Sequence, residues 1–129
     1  MVKLILIRGL PGSGKSTKAK YYVAEQPNLT KHIEADMFFV GDDGHYRFDA
    51  SQLQHAHRWC QDTTEKWLRS GINVVVSNTF VKQWEMKFYR QLALKYKAEL
   101  VIETCREQYQ NIHGVEDAVI KRMKRDWQE

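Results

Sequence analysis

The chain has 129 residues, 43% hydrophobic and 28% charged, with a net charge of +4. Length and composition suit one globular domain over residues 1–129. No apolar run nears the roughly 20 residues that cross a bilayer. The opening "MVKLILI" is too short for a secretory leader, and Cys60 and Cys105 lack metal-ligand spacing, so a cytoplasmic protein without membrane contact or structural zinc is expected.

In chain order, "VKLILIR" (2–8) is a nearly continuous apolar run ending at Gly9, which predicts a buried strand. Residues 15–25 read as a helix and "KHIE" (31–34) as a second strand. "VGDDGHYRF" (40–48) places turn residues between β-formers and predicts a loop or small hairpin. Asp49 or Ser51 can cap a long helix that stops at Gly71, with Leu53, Ala56, Cys60, Trp67 and Leu68 at helical spacing and His57 expected in the core. "INVVVS" (72–77) is a β-branched third strand. Residues 81–96 predict a helix with Val81, Trp84, Phe88, Leu92 and Tyr96 inward. "AELVIET" (98–104) is a fourth strand, and residues 115–127 a last helix. Alternating strands and helices give an α/β fold with a mostly parallel sheet. Ligands of such sheets bind beyond the carboxyl ends of the strands.

"GLPGSGKS" (9–16) matches G-x-x-x-x-G-K-[ST] and lies between a strand and a helix, as the phosphate-binding motif requires. Gly9, Gly12 and Gly14 let the loop, with Leu10, Pro11 and Ser13, turn its N–H groups inward around a phosphate. The helix start adds its positive end. Lys15 can reach the β- and γ-phosphates, Ser16 can take one position on Mg²⁺, and Thr17 can contact the α-phosphate. A nucleoside triphosphate is therefore the expected ligand. The GTPase motifs N-K-x-D and D-x-x-G are absent. "VVVSNTF" also lacks the strand-terminal acid of motor ATPases, which leaves phosphoryl transfer.

Transfer needs a group that orients and deprotonates the acceptor hydroxyl. Asp36, at the end of the second strand, is the expected base, with an outer-sphere Mg²⁺ role or a helix cap as alternatives. Asn78 and Thr79 end the third strand, where they can hold the acceptor or a metal-bound water. Phe38, Phe39, Tyr46 and Phe48 accompany Arg47 around the turn, an arrangement that suits either packing or stacking on a base.

"LILIRGLPGSGKSTKAK", "IEAD", "VVVSNTF" with "WEMKFY", and "NIHGVEDAVIKRM" together resemble small P-loop kinase-like proteins of phages and bacteria. These are similar in turn to the kinase domain of bacteriophage polynucleotide kinase. The resemblance implies a three-layer P-loop fold with strand order 2-3-1-4, the use of ATP with Mg²⁺, and transfer to a hydroxyl. The preferred acceptor is a polynucleotide 5′-hydroxyl. A kinase for a nucleoside, modified base or small metabolite is the alternative, and a regulatory ATP-binding protein without acceptor is another. Asp36 falls where polynucleotide kinases carry their base. The chain departs from them in having Asn78-Thr79-Phe80 for Asp-Thr-Asn and Phe39 for a basic residue. Glu116 also stands where the smaller group has proline. Arg106 opens the segment where P-loop kinases have a lid and is the expected charge-neutralising arginine. Arg122 and Arg125, three apart on the last helix, are expected at the nucleotide or an acceptor phosphate.

Overall fold

Four parallel strands carry the site at their carboxyl ends. The computed structural model describes residues 1–108 and 115–129. In chain order the strands are β1 (Lys3–Gly9), β2 (Thr30–Ile33), β3 (Asn73–Asn78) and β4 (Glu99–Cys105). They pair in the order β2-β3-β1-β4. The helices are α1 (Lys15–Glu25), α2 (Leu53–Arg69), α3 (Lys87–Lys95) and α4 (Asp117–Asp126). This is the expected α/β P-loop kinase-like fold.

Alternation along β1 and β3 builds the layers. Leu4, Leu6, Val74 and Val76 face one side with Cys60 and Leu68 of α2 and Tyr89, Leu92 and Ala93 of α3. Ile5, Ile7 and Val75 face the other side with Ala19 and Tyr22 of α1. Side chains two apart share a face of the pleat, so one run of apolar residues feeds both cores.

Several local expectations shift. Asp49 caps a 3₁₀ turn (Ala50–Gln52) instead of the long helix, its Oδ1 accepting from Ser51 N at 3.0 Å, and α2 then starts after Gln52 with no side-chain cap. The buried stripe of α2 is Ala56, Cys60, Thr64 and Leu68, which leaves His57 exposed instead of in the core. The helix expected over 81–96 begins as a 3₁₀ turn, Gln83–Met86. A 3₁₀ turn advances further per residue than an α-helix, so Met86, Tyr89, Leu92 and Ala93 turn inward. Trp84, expected inside, is 72% exposed.

The register of β1 and β3 pairs Arg8 with Asn78 at the functional end of the sheet. Arg8 is 2% exposed. Its guanidinium donates to Phe80 O (Nε 3.1 Å, Nη2 2.7 Å), Val81 O (3.2 Å) and Gln128 O (2.5 Å). It also lies 4.1 Å from the centroid of Trp127. Burial lowers its pKa, while Glu129 pulls the other way. The residue thus staples the exit of β3 to the C-terminal segment. Arg8→Met keeps the aliphatic packing and leaves the carbonyls of Phe80 and Gln128 short of a donor, while Val81 O keeps its bond from Gln128 N. It is expected to cost about 2–4 kcal/mol in urea unfolding. A loss within about 0.5 kcal/mol of zero, the usual range for surface substitutions, would show that water replaces the guanidinium there.

Candidate active site

The P-loop runs from the end of β1 into α1. At Gly9 a side chain has no room: an added Cβ would meet Ser13 Oγ at 2.3 Å and Cys105 O at 2.7 Å. Gly14 has φ +94° at the N-cap of α1, a left-handed conformation that glycine adopts without penalty. Both glycines are therefore dictated by the path of the loop. Ser13 Oγ is buried without a hydrogen-bond partner. A buried hydroxyl left unsatisfied is costly unless the site is built to receive something.

A crevice of about 590 Å³ opens beside this loop. Gly12, Gly14, Lys15, Ser16 and Thr17 form its floor. Glu34, Ala35 and Asp36 line one side, Ser77, Asn78 and Thr79 the sheet end, and Phe48, Leu53 and His57 the outer wall. Arg122 and Met123 of α4 also line it. Lys15 Nζ donates to Leu10 O at 3.0 Å. Burial lowers the Lys15 pKa, and Glu34, Cys105 and Asp36 oppose that shift. A partly desolvated ammonium over a phosphate-sized cradle is what polyphosphate binding needs.

Asp36 sits in the first turn of a 3₁₀ segment (Ala35–Phe39) that starts one residue after Glu34, just beyond β2. Tyr46 Oη donates to Asp36 Oδ1 at 3.2 Å. Asn78 holds this turn from below: its Oδ1 accepts from Ala35 N at 2.9 Å, and its Nδ2 approaches Cys60 Sγ at 3.6 Å. Asn78 was expected as a substrate contact. Both ends of its amide are engaged within the protein, which positions the Asp36 turn, and the residue also lines the crevice.

Three expected contacts, Phe39, Arg47 and Arg125, lie outside the crevice. Phe39 is 6% exposed and packs edge-on against Phe38, Tyr46 and Phe48, with Ala35 and Ala56 beneath. Of the aromatics around the turn it is Phe48, 53% exposed, that reaches the crevice wall. The hairpin forms as expected, closed by a Val40–Tyr46 bridge. Arg47 pairs within it to Asp43 (3.0 and 2.5 Å) and stays in solvent. Arg125 is 72% exposed at its side chain and pairs with Asp126. Of the two α4 arginines, only Arg122 lines the crevice.

Arg106 follows β4 and donates to both carboxylate oxygens of Glu129, at 2.9 and 2.5 Å. It lines a second hollow, of about 410 Å³, with Leu10, Pro11, Ser13, Ile120, Lys124 and Trp127. The structure therefore does not bring Arg106 together with Lys15 and Asp36. The rest of the expected lid, including His113 and Gly114, falls in 109–114, outside the described residues.

Sequence reasoning missed Glu34. Its Oε2 accepts from Ser16 Oγ at 3.2 Å and from Ser77 Oγ at 2.9 Å, with His32 Nε2 at 3.5 Å. Burial raises its pKa, but the bonds from His32, Ser77 and Ser16 outweigh that and the net shift is downward. Tyr22 Oη donates to Glu103, and neither residue lines the crevice. Among the described residues no three His, Cys, Asp or Glu side chains could hold a metal by themselves. No helix among them is long and apolar enough to cross a membrane.

Comparison with known proteins agrees with this fold. A family model described as an AAA domain matches residues 4–114. NEDD4-binding protein 2 of Homo sapiens is 33% identical over 138 residues, which cover 97% of this chain and 8% of that protein. Among solved structures, a chain of the Pnkp1/Rnl/Hen1 complex has a TM-score of 0.67 at 19% identity, covering 90% of this chain and 43% of that one. The Mycobacterium tuberculosis APS kinase CysC Cys556Ala mutant has a TM-score of 0.65 at 15% identity, covering 97% and 96%. The chain thus spans less than half the length of the first two proteins, and the structural likenesses speak for the fold alone.

Proposed function

Because the chain belongs to this AAA-domain family and carries a P-loop facing a carboxylate, we propose that it is an ATP-dependent phosphotransferase acting on a hydroxyl. The observation that carries this reading is that Lys15, Ser16 and Asp36 line one crevice at the carboxyl end of the sheet. The triphosphate lies along residues 9–17, with Lys15 on its β- and γ-phosphates. The acceptor enters between Asp36 and the outer wall of Phe48, Leu53 and His57. Its oxygen bonds to the γ-phosphorus, the bond from that phosphorus to the β–γ bridging oxygen breaks, and ADP leaves. The hydroxyl proton passes to the Asp36 carboxylate. Arg122 offers the one α4 arginine able to meet charge in the crevice. Ser16 supplies a hydroxyl for Mg²⁺, whose chemistry is to neutralise charge on the phosphates.

The preferred acceptor is a polynucleotide 5′-hydroxyl. It is supported by the resemblance of the Asp36 segment to polynucleotide kinases. Exposed Phe48 at the crevice wall suits stacking on a terminal base. A small hydroxyl metabolite is the second reading. It is favoured by the ion pairs that keep Arg47 and Arg125 out of the crevice. A volume of about 590 Å³ is also ordinary for a small-molecule site.

The test is transfer from γ-labelled ATP to 5′-hydroxyl oligonucleotides of increasing length at two salt concentrations, beside nucleosides and small alcohols. Polynucleotide recognition predicts binding that weakens with salt by a logarithmic slope of about −0.7 per phosphate, with about two to four phosphates contacted. A metabolite kinase predicts no gain with length and little salt dependence. Absence of labelled oligonucleotide under every condition sinks the polynucleotide assignment, and ATP loss indifferent to every acceptor sinks the kinase.

A further inference from the structure

β3 ends in Ser77-Asn78 and brings no acid to the P-loop. A Mg²⁺ bound with nucleotide ordinarily has a strand-terminal carboxylate beside the P-loop hydroxyl, because its waters need a charged acceptor. Here a carboxylate arrives sideways, from the neighbouring strand. The β2–β3 register pairs Ile33 with Val76, so the next residues, Glu34 and Ser77, lie side by side at the carboxyl end. One oxygen of Glu34 accepts from both Ser16 and Ser77, and the side chain, 18% exposed, lines the crevice. His32 steadies the pair from behind: its Nε2 is 2.6 Å from Ser77 Oγ and within ion-pair distance of Glu34.

We propose that Glu34 supplies the Mg²⁺-anchoring carboxylate that β3 lacks, with Ser77 as its hydrogen-bonded support where an acid would otherwise stand. The inference rests on the nucleotide-binding reading above. The donor set fits the ion: a serine hydroxyl and one carboxylate, completed by phosphate oxygens and water, is the hard-oxygen environment Mg²⁺ takes. Charge gives the arrangement its signature. Without metal, Glu34 points a negative charge at a site for polyphosphate and opposes binding. With metal, the same charge holds the ion. A purely structural Glu34, bridging α1 and β3 through two serines, would have no such metal dependence.

The experiment measures binding of the non-hydrolysable analogue AMPPNP by calorimetry, in EDTA and in excess Mg²⁺. The proteins are wild type, Glu34→Gln, Glu34→Asp and the double variant Glu34→Gln/Ser77→Asp. Electron paramagnetic resonance of Mn²⁺ in the presence of AMPPNP reads the metal directly. Wild type should bind more tightly with Mg²⁺. Glu34→Gln should lose about 10- to 100-fold of that gain, while its metal-free affinity holds or rises. Ser77→Asp in the Gln background should restore both the gain and the Mn²⁺ signal. Glu34→Asp keeps the charge and withdraws it by one methylene, so it should fold even if Gln does not, with an intermediate metal gain. A wild-type ratio of Mg²⁺ to EDTA affinity in the Gln variant overturns the inference, as does that ratio in Glu34→Asp where Gln is unfolded. Equal loss in both conditions also overturns it, since that marks a structural role. Failure of wild type to bind AMPPNP in either condition overturns the nucleotide reading itself, and this inference with it.

Discussion

Lys15→Ala is expected to abolish detectable phosphoryl transfer while the unliganded fold stands. The side chain reaches into the crevice and donates to Leu10 O at 3.0 Å, with no part in either core. Its removal therefore opens no cavity beneath the sheet. What disappears is a charge-assisted contact to the phosphates, worth about 1.5–3 kcal/mol, or about 10- to 150-fold in nucleotide affinity. Transfer should fall further, by about 10²–10³, because charge on the moving phosphoryl is greatest in the transition state. Lys18→Ala is the control: Lys18 pairs with Glu103 at 3.7 Å and does not line the crevice. Unchanged AMPPNP stabilisation in Lys15→Ala, with full activity, would rule out the P-loop reading.

The parts of this site that could be read in the sequence are those built from consecutive residues. The P-loop is one stretch, and each fixed position follows from how backbone N–H groups close on a phosphate. The strands around it are apolar runs whose order the family resemblance supplied. Side chains brought in by tertiary contact were harder. Arg106 finds a carboxylate, Glu129, that no periodicity relates to it, and Arg47 is turned by the hairpin onto Asp43, four residues earlier. Phe39 looked able to stack on a base, but the hairpin folds back and seals it under Tyr46 and Phe48. Asn78 sits at the expected strand end, yet its amide is used on Ala35 and Cys60. Glu34 was hidden for a further reason. Its place beside Ser77 depends on the β2–β3 register, and a slip of one residue would turn it to the opposite face. The signal available was the pairing of an acid-free β3 terminus with an acid at the end of the adjacent strand.

Asp36→Asn is expected to separate binding from chemistry. The substitution keeps the shape of the side chain and its capacity to accept from Tyr46, so the 3₁₀ turn at Ala35–Phe39 should persist. That turn is anchored independently, by Asn78 on Ala35 N and by burial of Ala35 and Phe39 against Ala56. An amide cannot take a proton from an attacking hydroxyl. Loss of a positioned general base costs about 10²–10⁴ in rate, and kcat should fall by that factor. AMPPNP affinity should change by less than about threefold, or about 0.6 kcal/mol, since the phosphates are held by residues 9–17. Removing a negative charge that faces Lys15 makes a slight gain in affinity more plausible than a loss. Single-turnover measurements, with acceptor and labelled ATP both saturating, isolate the chemical step from product release. Turnover within about threefold of wild type would leave Asp36 as a turn residue and move the search for the base elsewhere in the crevice.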